Sequence, residues 1–104
     1  MNKRLPHKLS PELKKLKPII VRILKRNGAI RAGIFGSYVR GEQTIKSDVD
    51  ILIKVGRRKF SLLDLVGLEM ELKERLGKEV DLLTYIGINP LLKERILKEE
   101  VRII

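Results

Sequence analysis

Two aspartates one residue apart, Asp48 and Asp50, stand at the mouth of VDILIKV (49–55), an apolar run. Upstream, the pair Gly36-Ser37 closes a second apolar run, AIRAGIF (29–35), and a third aspartate, Asp81, opens EVDLLTY (79–85). Side chains alternate along a strand, so Asp48 and Asp50 share one face while Val49, Ile51, Ile53 and Val55 take the other. Three ionised carboxylates held within a few ångströms repel one another and coexist only with protons or cations. Oxygen donors without sulfur or imidazole suit Mg²⁺ or Mn²⁺, and a pair of such ions about 4 Å apart serves displacement at phosphorus. Gly36 permits close backbone approach. The amides of Ser37 and Tyr38, at the start of a short helix, together with the Ser37 hydroxyl, suit phosphate oxygens. Each feature alone has an ordinary structural reading: a turn for Gly-Ser, a strand-entry pair for Asp-x-Asp, a polar strand start for Asp81, a surface ion pair for Arg40. Their joint placement at one sheet edge is what points to phosphate chemistry.

That placement follows from the elements. Ser10-Pro11 is a helix start, with proline in the first turn. Pro18 either kinks this helix or begins a second one, which ends at Asn27-Gly28 and carries Ile19, Ile20, Ile23 and Leu24 as its apolar stripe. Strands are expected at 29–35, 49–55 and 79–85, with GRRKF as a basic surface turn after the second. Ser61 caps a long helix whose apolar stripe is Leu62, Leu65, Val66, Leu68, Met70 and Leu72, stopped by Gly77. Asn89-Pro90 opens a last helix to about Glu100, and VRII (101–104) adds a short edge strand. A short loop makes the first two strands antiparallel neighbours. The helical crossover makes the second and third parallel. Ser37, Asp48 and Asp81 then meet at one edge. The fold class is α/β, a small mixed sheet flanked by helices, in one domain spanning 1–104.

Composition narrows the function classes. At 104 residues the chain can bury roughly 60 to 70% of its unfolded surface. No apolar run reaches the ~18 residues of a membrane span, and the N-terminus has no signal-peptide core, so a cytoplasmic location is expected. The absence of cysteine excludes disulfides, thiolate nucleophiles and cysteine-type zinc sites. His7, the only histidine, is expected in a solvated tail. Charged residues form 35% of the chain and Gln43 is the only glutamine, a pattern common in proteins from hot habitats. The net charge of +10 is uneven: residues 1–31 carry ten Lys and Arg against Glu12 alone. Such an excess is either a solvated helix surface or an attraction for a polyanion or acidic partner. Four aromatic residues leave little for base stacking, which disfavours direct nucleic-acid binding.

The stretches FGSYVRG and SDVDILI, with ten residues between Ser37 and Asp48, resemble the nucleotidyltransferase signature of the DNA polymerase beta superfamily. The likeness is greatest to the minimal nucleotidyltransferases, the small antitoxin partners of HEPN-type toxins. It extends through SLLDLVGLEMELKERLGKEVDLLT and NPLLKERILKEEVRII. The resemblance implies a polymerase beta palm-like fold, with Asp48 and Asp50 as metal ligands and Asp81 as third carboxylate, helping to activate the acceptor. It further implies Gly36 and Ser37, with Arg40, at the nucleoside triphosphate, and transfer of AMP from ATP to a tyrosine of a HEPN-type toxin. Two other readings stand beside it: a binding antitoxin that works by contact alone, and a nucleotide- or RNA-binding protein using the basic N-terminal region.

Overall fold

The computed structural model describes residues 9–56 and 59–104. The solvated-tail reading of His7, the first basic residues of the N-terminal excess (Lys3, Arg4, Lys8) and the Arg57-Arg58 turn lie outside them. Helix α1 (Pro11–Arg26) is capped by Ser10, whose hydroxyl accepts the Leu13 N–H at 3.2 Å. It passes through Pro18 as a single helix, because Pro18 lies on the exposed side, where water can reach the carbonyl that lacks its donor. Strand β1 (Ala29–Phe35), the four-residue helix α2 (Ser37–Arg40), strand β2 (Val49–Val55) and helix α3 (Leu62–Leu76) follow. Strand β3 (Val80–Thr84), one residue shorter at each end than expected, leads to α4 (Pro90–Glu99) and the two-residue β4 (Val101–Arg102). The sheet order is β3-β2-β1-β4, with β2 antiparallel to β1 and parallel to β3, and β4 antiparallel to β1.

The two sheet faces are packed differently. On one, Leu13, Ile20, Ile23 and Leu24 of α1 and Leu68, Leu72 and Leu76 of α3 bury Val49, Ile51 and Ile53. The other, which Asp50 shares with Leu52 by alternation, carries a smaller cluster of Phe35, Leu52, Ile88 and Ile96 beneath α4. The mixed sheet flanked by helices agrees with the sequence-based expectation. At the β3 edge, the Leu82 N–H donates to Glu69 Oε1 at 2.9 Å, so a side chain takes a ladder position that no strand fills. Among the described residues no helix is long and apolar enough to cross a membrane.

The α3 stripe corrects the sequence expectation. Leu68, Leu72 and Leu76 pack inward with Leu65 partly covered, whereas Leu62, Val66 and Met70 are exposed, as is Leu63 at 82%. At 3.6 residues per turn, positions 62, 66 and 70 lie roughly a third of a turn from positions 65, 68, 72 and 76. One helix therefore bears two apolar stripes, and only one meets the sheet. Leu72→Ala should lower the unfolding free energy by about 2 to 5 kcal/mol, while Met70→Ala should stay within about 0.5 kcal/mol. Urea unfolding of both variants checks the assignment; equal losses would contradict it.

Candidate active site

The site begins with one backbone conformation. Gly36 has φ +81° and ψ −157°, a region essentially reserved for glycine. A Cβ at Gly36 would overlap Asp50 Oδ2, so the turn and the carboxylate approach as closely as atoms allow. Strand register explains the approach. Phe35 pairs with Asp50 across the antiparallel ladder, and Asp50 pairs with Asp81 across the parallel one. After Gly36 the chain makes the single turn of α2, in which the Val39 and Arg40 amides return to the Gly36 carbonyl at 3.0 and 3.1 Å. Buried Tyr38 and Val39 anchor it to the core. The loop back to Asp48 is tied by the Thr44 N–H to Ser47 Oγ at 2.8 Å, and β2 begins with the Val49 N–H donating to the Glu79 carbonyl at 2.9 Å. Asp48 therefore enters at the same edge as Asp50 and Asp81.

Electrostatics bear the mark of crowding. Asp50 is pushed up to about 6, by burial first and then by Asp81 and Asp48, with Glu99 adding to the rise and Arg40 opposing it. Loss of hydration, then Glu69 and Asp48, raise Asp81, against the pull of Lys73. Among the described residues no three acidic or histidine side chains form a ready-made metal cage. Mg²⁺ is commonly held by one or two carboxylates together with substrate phosphates, so an open pair such as Asp48 and Asp50 fits it better than a closed cage would. The oxygen-only donor set and the mutual repulsion suit a divalent cation that arrives with phosphate.

The residues expected at the phosphate are brought together, but not all are free. The Gly36 N–H donates to Glu99 Oε1 at 2.7 Å, and Arg40 Nη1 donates to the same oxygen at 2.8 Å. Arg40 Nε also donates to Glu42 at 2.9 Å. Arg40 is thus an ion-pair partner inside the chain as well as a neighbour of Asp50. Glu99, 7% exposed, has no counterpart in the sequence reading. A signal was present: two acids, Glu99 and Glu100, end a helix whose C-terminus repels negative charge.

A pH dependence follows from Asp50. The unfolded chain releases this proton in the ordinary aspartate range, whereas the folded chain keeps it to about 6. Across that window the folded state binds more protons, so stability falls as pH rises through it, and the penalty is complete above about 6. Asp50→Asn should therefore melt at a higher temperature than the parent at pH 8 and close to it at pH 3.5. Calorimetric melting without added metal is the measurement, and coincident curves at pH 8 would remove the crowding argument.

Comparison with known proteins shows the family. The family model of the nucleotidyltransferase domain matches residues 13–104. A Methanocaldococcus jannaschii protein, named as an inferred protein adenylyltransferase, is 55% identical over 92 residues, 88% of this chain and 98% of that protein. A solved structure of an inferred minimal nucleotidyltransferase superposes with a TM-score of 0.76 at 33% identity, covering 91% of this chain and 96% of the other. A chain from the complex of a tri-AMPylated Shewanella oneidensis HEPN toxin with an MNT antitoxin shares the fold, with TM-score 0.70, 19% identity, and 88% and 71% of the two chains covered. With its signature turn and aspartates at one sheet edge, the chain belongs to the nucleotidyltransferase domain family, as an enzyme of the minimal nucleotidyltransferase group.

Proposed function

We propose that the protein transfers AMP from ATP to a hydroxyl of a separate protein, a tyrosine of a HEPN-type ribonuclease toxin, and so acts as that toxin's antitoxin. The observation that carries this reading is the contact of the glycine turn with Asp50, which stands in register with Asp81. In the reaction the acceptor oxygen bonds to the α-phosphorus of ATP, the bond from that phosphorus to the bridging oxygen breaks, and pyrophosphate leaves. The acceptor proton passes to Asp81, whose proton affinity is raised above that of an ordinary aspartate. The amides of Ser37 and Tyr38 and the Ser37 hydroxyl receive phosphate oxygens, with the Arg40 guanidinium near them. Asp48 and Asp50 would hold Mg²⁺ or Mn²⁺, and Asp81 flanks them. Such an ion supplies Lewis-acid stabilisation of the charge on the phosphates.

The acceptor is assigned to another molecule because neither tyrosine of this chain presents a free hydroxyl. Of its two tyrosines, Tyr38 is buried, and the Tyr85 hydroxyl donates to Glu100 with its pKa pushed up to about 12, by burial first. The Shewanella complex, of a tri-AMPylated HEPN toxin with an MNT antitoxin, supports the choice of partner. A phosphodiester near a ribonuclease site would put charge and bulk where RNA phosphates dock. The exposed basic side chains of α1, among them Lys14, Lys15 and Arg22, offer the partner an electrostatic landing surface. Since α1 covers the face opposite Asp50, a partner landing there would reach round the sheet edge to deliver its hydroxyl.

Co-expression with a HEPN-type toxin, followed by intact-mass spectrometry, tests the proposal. The parent should add adenylate increments to the toxin, and Asp48→Ala should add none. Asp81→Asn should keep much of the ATP affinity measured with Mg²⁺ by calorimetry, yet lose about 10²- to 10⁴-fold in transfer rate. Neutralisation by Asp48→Ala without added mass would favour the contact-only antitoxin. ATP affinity undiminished by a chelator would overturn the metal assignment.

A further inference from the structure

The acidic end of α4 has a structural explanation that leads back to the active site. Glu100 lies over β1 at Gly33, where any Cβ would overlap its side chain. The Tyr85 hydroxyl donates to Glu100, Arg31 pairs with it at 3.4 Å, and the Arg31 guanidinium lies 4.4 Å from the centroid of the Tyr85 ring. With Glu100 clamped in this way, the preceding residue is turned inward. Glu99 becomes buried, and its Oε1 accepts from the Gly36 N–H and from Arg40 Nη1 together.

Those two donors stand at opposite ends of α2: Gly36 is its N-cap and Arg40 its last residue. A helix of one turn has no stability of its own, since nucleation costs more than its few hydrogen bonds return. Its orientation must come from outside bonds and from the Tyr38 and Val39 anchors. One oxygen of Glu99 ties both ends to α4. Its charge alone does not explain its presence: it pairs with Arg40, but a carboxylate near Asp50 also adds repulsion to a site that admits a polyanion. Its reach does. We propose that Glu99 is a positioning residue of the nucleotide site, setting the Gly36–Arg40 turn at the height above Asp50 that the triphosphate requires. The proposal rests on the reading that this turn receives the nucleotide's phosphates.

Reach and charge are separable by substitution. Glu99→Gln keeps the length and an oxygen that accepts both bonds, but loses the charge. Glu99→Asp keeps the charge and is one methylene too short to hold both donors. ATP affinity with Mg²⁺ is measured by calorimetry, KM and kcat for ATP in the transfer assay, and thermal melting on each variant. Glu99→Asp should weaken ATP affinity and raise KM by at least about tenfold, as for a misplaced binding group, with kcat at saturating ATP much less affected. Glu99→Gln should stay within about threefold of the parent, since the bridging geometry survives. Parental affinity in Glu99→Asp, whatever its melting temperature, would reduce Glu99 to a structural residue and overturn the proposal. Losses in Glu99→Gln as large as those in Glu99→Asp would show that reach alone does not carry the effect, and tighter binding by Glu99→Gln would make Glu99 a competitor of phosphate; either result overturns it. A parent that binds no ATP would overturn both this proposal and the function on which it rests, whereas a binding parent with unaffected variants would remove this one alone.

Discussion

The placement of β2 between an antiparallel and a parallel neighbour is the constraint on which the rest of the structure depends. The antiparallel partner brings the end of β1, and with it Gly36, level with Asp50; the parallel partner brings the start of β3, and with it Asp81, to the same level. Neither arrangement alone collects a glycine turn and carboxylates from two strands. The cost is electrostatic, because like charges gather where hydration is already partly lost, and it is visible in the raised proton affinities of Asp50 and Asp81.

Division of labour between the sheet faces makes that cost tolerable. The face covered by α1 and α3 holds the larger apolar core, including Leu13, Leu24, Ile51, Ile53 and Leu72, all without measurable exposure. Burial on that face supplies the non-directional stabilisation that a site of mutually repelling groups cannot. The aspartate face carries only the smaller cluster around Leu52 and Ile96, and Asp48 and Asp81 at the strand edge stay exposed. Polar ties finish what packing leaves loose: Glu69 covers the β3 edge, and Glu99 and Glu100 join α4 to β1 and α2. Loss of Arg40 would strand the buried Glu99 carboxylate, whereas Arg40 is less buried and keeps Glu42 as a second partner.

Much of this was legible in the residues themselves. Alternation along 49–55 separates Asp48 and Asp50 from Val49, Ile51 and Ile53, and the lengths of the connections dictate antiparallel and then parallel pairing. Local chemistry also marks Ser10, Ser61 and Asn89 as helix caps, each of which accepts a first-turn amide in the structure. Such features depend on neighbours a few residues away. The spacing of glycine, serine and aspartates, and its resemblance to a known signature, likewise requires no knowledge of packing.

What only the tertiary structure decided depends on contacts between distant segments. The periodicity of α3 offers two apolar stripes, and contact with the sheet selects Leu68, Leu72 and Leu76 over Leu62, Val66 and Met70. Pro18 permits a break or a continuous helix, and the exposed position of that turn allows continuity. Arg40 and Gly36 are joined to Glu99 from 59 and 63 residues away. The local pattern signals only that two acids at a helix end need partners. Which partners they find is a matter of how α4 crosses the sheet, and that is set by side-chain shape and burial among Phe35, Leu52, Ile88 and Ile96 rather than by any spacing along the chain.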